Sequence, residues 1–165
     1  MKQVSITVNG KEYQRLIPEE MTLLAFLREE VGLTGTKEGC GEGACGACSI
    51  LVDRRLVNSC CYLACEANGK RVLTVEGLNR KDRLHPLQQI YLDAGAVQCG
   101  FCTPGMIMAT IAIYAKNRNP SEEEIRKGMS GNLCRCTGYV KILEAVRKAG
   151  EDVSWLDDIC WYRMR

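Results

Sequence analysis

Two Phe and two Trp in 165 residues leave few large rings for an interior, so any core must be built mainly from aliphatic side chains. Charge of neither sign dominates. The 22 Lys and Arg against 20 Asp and Glu give a formal net charge of +2, spread along the chain with no basic stripe, and no nucleic acid is expected as a partner. No apolar run approaches the roughly 20 residues needed to span a bilayer. The N-terminal Met-Lys-Gln-Val-Ser-Ile-Thr-Val alternates like a strand and does not read as a leader, so the cytoplasm is the expected location. Also missing are a nucleophile paired with a base and a phosphate-binding Gly loop ahead of a helix, so no catalytic residue is expected. The one His, His85, stands beside Pro86 at a helix start and reads as a surface or capping residue, not a metal ligand.

Cysteine is what the chain has in excess. Eleven of them without a secretory leader read as metal ligands and not as disulfides. Gly39 to Cys48 holds three cysteines and four glycines in ten residues, too little side chain to pack and no period for a helix or strand. Cys40, Cys45 and Cys48 are spaced C-x4-C-x2-C, the plant-type [2Fe-2S] ferredoxin spacing, and Cys60 stands where a fourth ligand is needed. Glycines suit such a loop because backbone must pass close to the cluster at positive φ.

In chain order, Val4, Ile6 and Val8 alternate up to the Asn9-Gly10 turn signal, which predicts a β-hairpin with Lys11 to Ile17. Thr22 then caps a helical stripe of Leu23, Leu24, Leu27 and Val31, ended by Gly32. Ile50 to Val52 and Leu56 to Val57 suggest a second hairpin around Asp53-Arg54, although Arg54 lacks the Gly that tight hairpins prefer; Arg71 to Val75 reads as the closing strand. Past Gly77 the period becomes helical. The pattern predicts helices over Pro86 to Ala94, Thr103 to about Lys116, Ser121 to about Met129 with a Ser121/Glu124 capping box, and from Thr137-Gly138 to Gly150. The order predicts an α+β chain: a β-grasp domain over 1–77, a small four-helix bundle over 78–150, and a tail over 151–165. Each half would be marginal as a purely apolar core and is the kind of small domain that borrows stability from a metal.

The helical half carries its own set, Cys99-Gly-Phe-Cys102 and Cys134-Arg-Cys136, each pair followed by a Thr able to cap a helix. That predicts both pairs at helix N-termini, where free amides favour thiolates and a negatively charged cluster. Four cysteines in two pairs also suit a structural zinc ion, though C-x-C is unusual for a zinc ribbon.

The three segments Gly39-Cys-Gly-Glu-Gly-Ala-Cys-Gly-Ala-Cys48, Gln98-Cys-Gly-Phe-Cys-Thr-Pro-Gly105 and Gly131-Asn-Leu-Cys-Arg-Cys-Thr-Gly-Tyr139, in this order, resemble the small iron-sulfur subunit of the molybdenum hydroxylases, the xanthine dehydrogenase and aldehyde oxidoreductase family. The resemblance covers roughly residues 3 to 149. It implies two [2Fe-2S] clusters, one on Cys40, Cys45, Cys48 and Cys60 and one on Cys99, Cys102, Cys134 and Cys136, with Gln98 and Cys136 touching the pterin. It further implies one-electron transfer from a molybdopterin site in a large subunit to an FAD in a medium subunit, with the second cysteine set nearer the molybdenum and the first nearer the flavin. The substrate reading is xanthine or another purine; nicotinate, an aldehyde, an aromatic acyl thioester or CO would fit the same role, and a free-standing redox sensor is the alternative from another class.

The run Ser59-Cys60-Cys61 offers two candidates for the fourth ligand of the first set; the family spacing selects Cys60. Cys61 and Cys65 are expected to be small buried hydrophobes, and Cys160 has no assigned role. Residues 151–165 contain Trp155 and Trp161, and Trp155, Leu156 and Ile159 fall at helical spacing, as anchors on a partner subunit would, or as a segment folded back on its own domain.

Overall fold

The computed structural model describes residues 1–79 and 83–159, so Arg80, Lys81 and Asp82 of the expected polar link, and Cys160 and Trp161 of the tail, lie outside the described residues. Among the described residues five strands form one mixed sheet: β1 (Lys2–Val8), β2 (Lys11–Ile17), β3 (Ser49–Val52), β4 (Arg55–Asn58) and β5 (Arg71–Leu73), in the order β2-β1-β5-β3-β4. β1 and β2 pair antiparallel from Lys2↔Ile17 to Val8↔Lys11, turning through Asn9 (φ 51°) and Gly10 (φ 84°). β5 enters between the hairpins, parallel to β1 through Val8↔Val72 and antiparallel to β3 through Val52↔Val72.

Strand alternation explains why the sheet serves two cores. Val4, Ile6, Val8, Ile50, Val52 and Val72 share one face and are buried with Leu23, Phe26 and Leu27. One residue out of step, Leu51 and Leu73 point to the other face and join a second core made chiefly by the helices. All four residues of β3 are therefore buried, as in a strand covered on both sides. Each fully buried aliphatic side chain contributes about 1.5–3 kcal/mol, so a sheet that feeds two cores stabilises both halves at once. The first core lies wholly within residues 4–72, and the same sheet covers the helical core from its other face through Leu51 and Leu73.

Thr22 caps α1 (Leu23–Ala25) by accepting from the Ala25 amide at 3.1 Å. The helix widens at once into a π turn over Phe26–Glu30 and stops at Gly32 (φ 80°). The second hairpin forms without a glycine: Asp53 (φ 44°) and Arg54 (φ 69°) both adopt the left-handed conformation that the turn demands. Its compensation is remote. Asp53 donates its amide to the Arg71 carbonyl at 2.9 Å and accepts the Arg71 amide on Oδ1 at 3.0 Å. β5 ends at Leu73, two residues short of the expected Val75, because Val75–Leu78 turns into a 3-10 helix.

Four helices follow: α2 (Pro86–Asp93), α3 (Thr103–Lys116), α4 (Glu122–Met129) and α5 (Val140–Ala149). α3 is buried on nearly every side, from Met106 through Tyr114, and packs against β3, β4 and α4. The Ser121/Glu124 capping box of α4 forms as expected. Neither Thr103 nor Thr137 caps as expected. α3 begins from Cys102, which makes no side-chain cap, and α5 begins from Tyr139 (φ 68°), leaving Cys134 and Cys136 in the loop before it.

At two places the structure selects between readings that the sequence left open. His85 does cap α2, accepting the Leu87 amide on Nδ1 at 3.2 Å, but it is buried, with Nε2 3.1 Å from the Trp155 carbonyl oxygen. Trp155, Leu156 and Ile159 are likewise covered by the chain itself. The indole of Trp155 donates to the Ala149 carbonyl at 2.8 Å and stands edge-on to Tyr114. They belong to the helical core and do not serve as exposed anchors. Among the described residues no helix is long and apolar enough to cross a membrane.

Candidate metal centres

The first cysteine loop, 39–48, runs without regular structure into β3, its turns made by Gly41, Gly43 and Gly46 at φ 70–80°. Its backbone amides converge on a sulfur. Those of Glu42, Ala44 and Cys45 reach Cys40 Sγ at 3.5, 3.3 and 3.4 Å, and this bonding, from Glu42 first, brings the exposed Cys40 thiol down to about 7. The Cys45 thiol also donates to it. Amides aimed at a thiolate would serve equally to hold a negatively charged cluster.

Cys48 and Cys60 form a second pair, buried together with Leu24. Burial pushes both thiols up. Ser59 ties the two segments by donating its amide and its hydroxyl to the Cys48 carbonyl at 3.3 and 2.8 Å. Cys60 and Cys61 lie in a 3-10 turn and not in a strand, so their sulfurs approach to 3.7 Å and do not point to opposite faces. Cys60 is the buried one, beside Cys48. Cys61 is exposed, against the expectation of a buried hydrophobe, and Cys65 is half-buried with its sulfur 3.5 Å from the Glu19 carbonyl oxygen.

In the second set, Cys136 Sγ lies 3.5 Å from Cys99 Sγ, and Cys102 is hydrogen-bonded to Cys134. Burial first, then Cys134, pushes the Cys102 thiol up to about 12. Burial also raises Cys134, but Thr137, whose hydroxyl donates to its sulfur at 3.2 Å, and the Cys136 amide outweigh this and lower it overall. Of the two, Cys134 is the one whose thiol is lowered and Cys102 the one whose thiol is raised. The Cys134 amide in turn donates to the Tyr139 hydroxyl at 3.0 Å, which fixes the loop ahead of α5.

The donor set fits a two-iron cluster. The sulfurs come two by two, Cys40 with Cys45, Cys48 with Cys60, Cys99 with Cys136 and Cys102 with Cys134. Two pairs per set is the division that two irons require, whereas a zinc ion needs four donors about one point. Among the described residues no group of three His, Cys, Asp or Glu side chains converges on a single-ion position. The two sets also face each other. Cys40 and Cys45 form one wall of a cleft of about 310 Å³ whose other wall carries Cys99, Cys102, Cys134 and Cys136. Gln98 is exposed beside Cys99, with exposed Phe101 and Leu133 in the same two loops and exposed Val140 at the start of α5.

Sequence reasoning missed what joins the loops. Leu133 donates its amide to the Cys45 carbonyl at 2.8 Å, and buried Asn132 donates Nδ2 to the Gly46 carbonyl at 2.8 Å. Gly46 and Gly105 meet so closely that a Cβ on Gly105 would stand 2.3 Å from the Gly46 carbonyl oxygen. Asn132 lay inside a quoted motif, but only its burial marks it out.

Comparison with known proteins agrees in both halves. The family described as "2Fe-2S iron-sulfur cluster binding domain" matches residues 6–73, and "[2Fe-2S] binding domain" matches residues 74–147. The chain is similar to the nicotinate dehydrogenase small FeS subunit of Eubacterium barkeri, 48% identical over 90% of this chain and 94% of the other. It is equally similar to the xanthine dehydrogenase iron-sulfur-binding subunit of Escherichia coli O157:H7, 48% identical over 87% of this chain and 91% of that one. Among solved structures it superposes on a chain of quinoline 2-oxidoreductase from Pseudomonas putida 86 with a TM-score of 0.85 and 46% identity, covering 91% and 96% of the two chains. On aldehyde oxidoreductase from Desulfovibrio gigas the TM-score is 0.88 at 38% identity, covering 96% of this chain and 18% of that one.

Proposed function

The chain belongs to the molybdenum hydroxylase family as its small [2Fe-2S] subunit, and on that premise we propose that it passes electrons singly from a molybdopterin site in a large subunit to an FAD in a medium subunit. It is the non-catalytic, electron-transferring part of a molybdenum-dependent oxidoreductase. The observation that carries the reading is the cleft with Cys40 and Cys45 on one wall and the second cysteine set on the other. When bound, each [2Fe-2S] cluster accepts and returns one electron.

The residues divide the work. Cys40, Cys45, Cys48 and Cys60 hold the first cluster, and the amides of Glu42, Ala44 and Cys45 offset its charge. Cys99, Cys102, Cys134 and Cys136 hold the second, with Thr137 hydrogen-bonded to Cys134. Gln98, exposed beside Cys99, offers an amide donor and acceptor to the pterin, with Cys136 alongside. The second cluster is then nearer the molybdenum, and Glu42, exposed on the first loop, faces the flavin side. In this reading residues 1–77 are the ferredoxin-like unit, 78–150 a four-helix bundle, and the whole works in the cytoplasm.

The substrate pocket belongs to the large subunit. Relatives of 43–48% identity are named for nicotinate, xanthine, quinoline and aldehydes, and a purine is the specific reading. Purification of the chain from its source under gentle conditions tests the proposal. Two larger subunits, one with molybdopterin and one with FAD, and four irons per small chain are expected; a chain purified alone, or one holding zinc, would overturn it.

A further inference from the structure

Asn132 is 3% exposed, holds no metal, and binds residues more than eighty positions away. Its Nδ2 donates to the Gly46 carbonyl at 2.8 Å and to Ser49 Oγ at 3.2 Å. Ser49 Oγ donates to Asn58 Oδ1 at 3.3 Å, and Asn58 Nδ2 donates to the Gly43 carbonyl at 2.7 Å. A line of hydrogen bonds thus leaves the second cysteine loop, crosses β3 and β4, and returns to the first cysteine loop. The tie is anchored at both ends of the cysteine spacing, since Gly43 and Gly46 flank Cys45 while Asn132 and Leu133 precede Cys134. Contact of Gly46 with Gly105 forbids closer approach, and the Leu133 amide on the Cys45 carbonyl adds a parallel tie at 2.8 Å.

We propose that Asn132 is the positioning residue that sets the separation of the two cluster-bearing loops, and with it the coupling between the clusters. The inference rests on the two-cluster reading above. A buried amide keeps its partners because an unpaired one is costly, so the short Asn side chain acts as a spacer of fixed length. Asn132→Asp keeps the shape but replaces the donor with a carboxylate oxygen facing two acceptors, so the loops must part.

The test uses the full chain with both clusters in place, fully reduced, and reads the spin-spin splitting between them by low-temperature electron paramagnetic resonance. This splitting falls with the cube of the distance and is indifferent to stability. Wild type is expected to show it. Asn132→Asp and Asn132→Ala should keep four irons while the splitting collapses, and Ser49→Ala, which removes one of two acceptors, should narrow it. Unchanged splitting in an Asn132 variant with both clusters present would overturn the proposal, as would its absence from wild type. If the Asn132 variants lose iron, Ser49→Ala decides: narrowed splitting supports the tie and unchanged splitting overturns it. A wild-type chain with one cluster or none would fail earlier, at the two-cluster reading itself.

Discussion

The amide of Leu133 donates to the carbonyl of Cys45 at 2.8 Å, joining a residue beside one cysteine set directly to a member of the other. Loops this close leave no room for added bulk between them, which alters what a glycine substitution in the first loop should do.

Gly46→Val illustrates this. Gly46 sits at φ 70°, and a Cβ there would stand 2.3 Å from the Gly131 carbonyl oxygen and 2.7 Å from Asn132 Nδ2. The left-handed backbone alone costs a branched residue on the order of 1–3 kcal/mol, before the clash. With the second loop against it, both clusters should be lost together and the unfolding midpoint should fall. Iron content and the two reduced spectra check this. Loss of the first signal with a native second one would contradict it.

Trp155→Ala should destabilise the chain by about 3–5 kcal/mol, the cost of emptying a large buried site. It removes the indole bond to Ala149 and the edge contact with Tyr114, and it unsettles the segment whose carbonyl lies against His85. Denaturant unfolding of the holo chain measures it. An unchanged midpoint would mean that the segment is not part of the core.

Thiol reactivity should be ordered by pH in the metal-free chain. Bonding by the Glu42, Cys45 and Ala44 amides lowers Cys40 to about 7, so its thiolate is already half-formed there and its alkylation should rise through that pH. Cys102, raised to about 12 by burial and Cys134, should stay protonated and slow throughout the neutral range. Alkylation rates by site from pH 6 to 9 give the comparison; equal rates at Cys40 and Cys102 would contradict the amide geometry.

What the sequence disclosed was local. The Asn9-Gly10 turn, the Thr22 cap, the Ser121/Glu124 box and the full extent of α3 are each written within a few residues of where they act. The cysteine spacings were legible for the same reason. Hidden features depend on partners far along the chain: the Asp53-Arg54 turn is held by Arg71, His85 is buried under Trp155, and Asn132 is fixed by Gly46. The double role of β3 was hidden as well, because the run Ser-Ile-Leu-Val shows burial on both faces without naming what covers them. Cys61 was expected to be buried, but the 3-10 turn Ser59–Cys61 buries Cys60 and leaves Cys61 exposed.

The proposed wire has a fixed order, from molybdenum through the Cys99, Cys102, Cys134 and Cys136 cluster to the Cys40, Cys45, Cys48 and Cys60 cluster and on to flavin. Stopped-flow reduction by substrate of the assembled enzyme carrying Cys45→Ser, with iron analysis showing that only the first cluster is missing, tests it most directly. Substrate should still reduce the second cluster at the wild-type rate while flavin reduction is lost. Rapid reduction of the flavin by substrate in that same assembled variant would contradict the order.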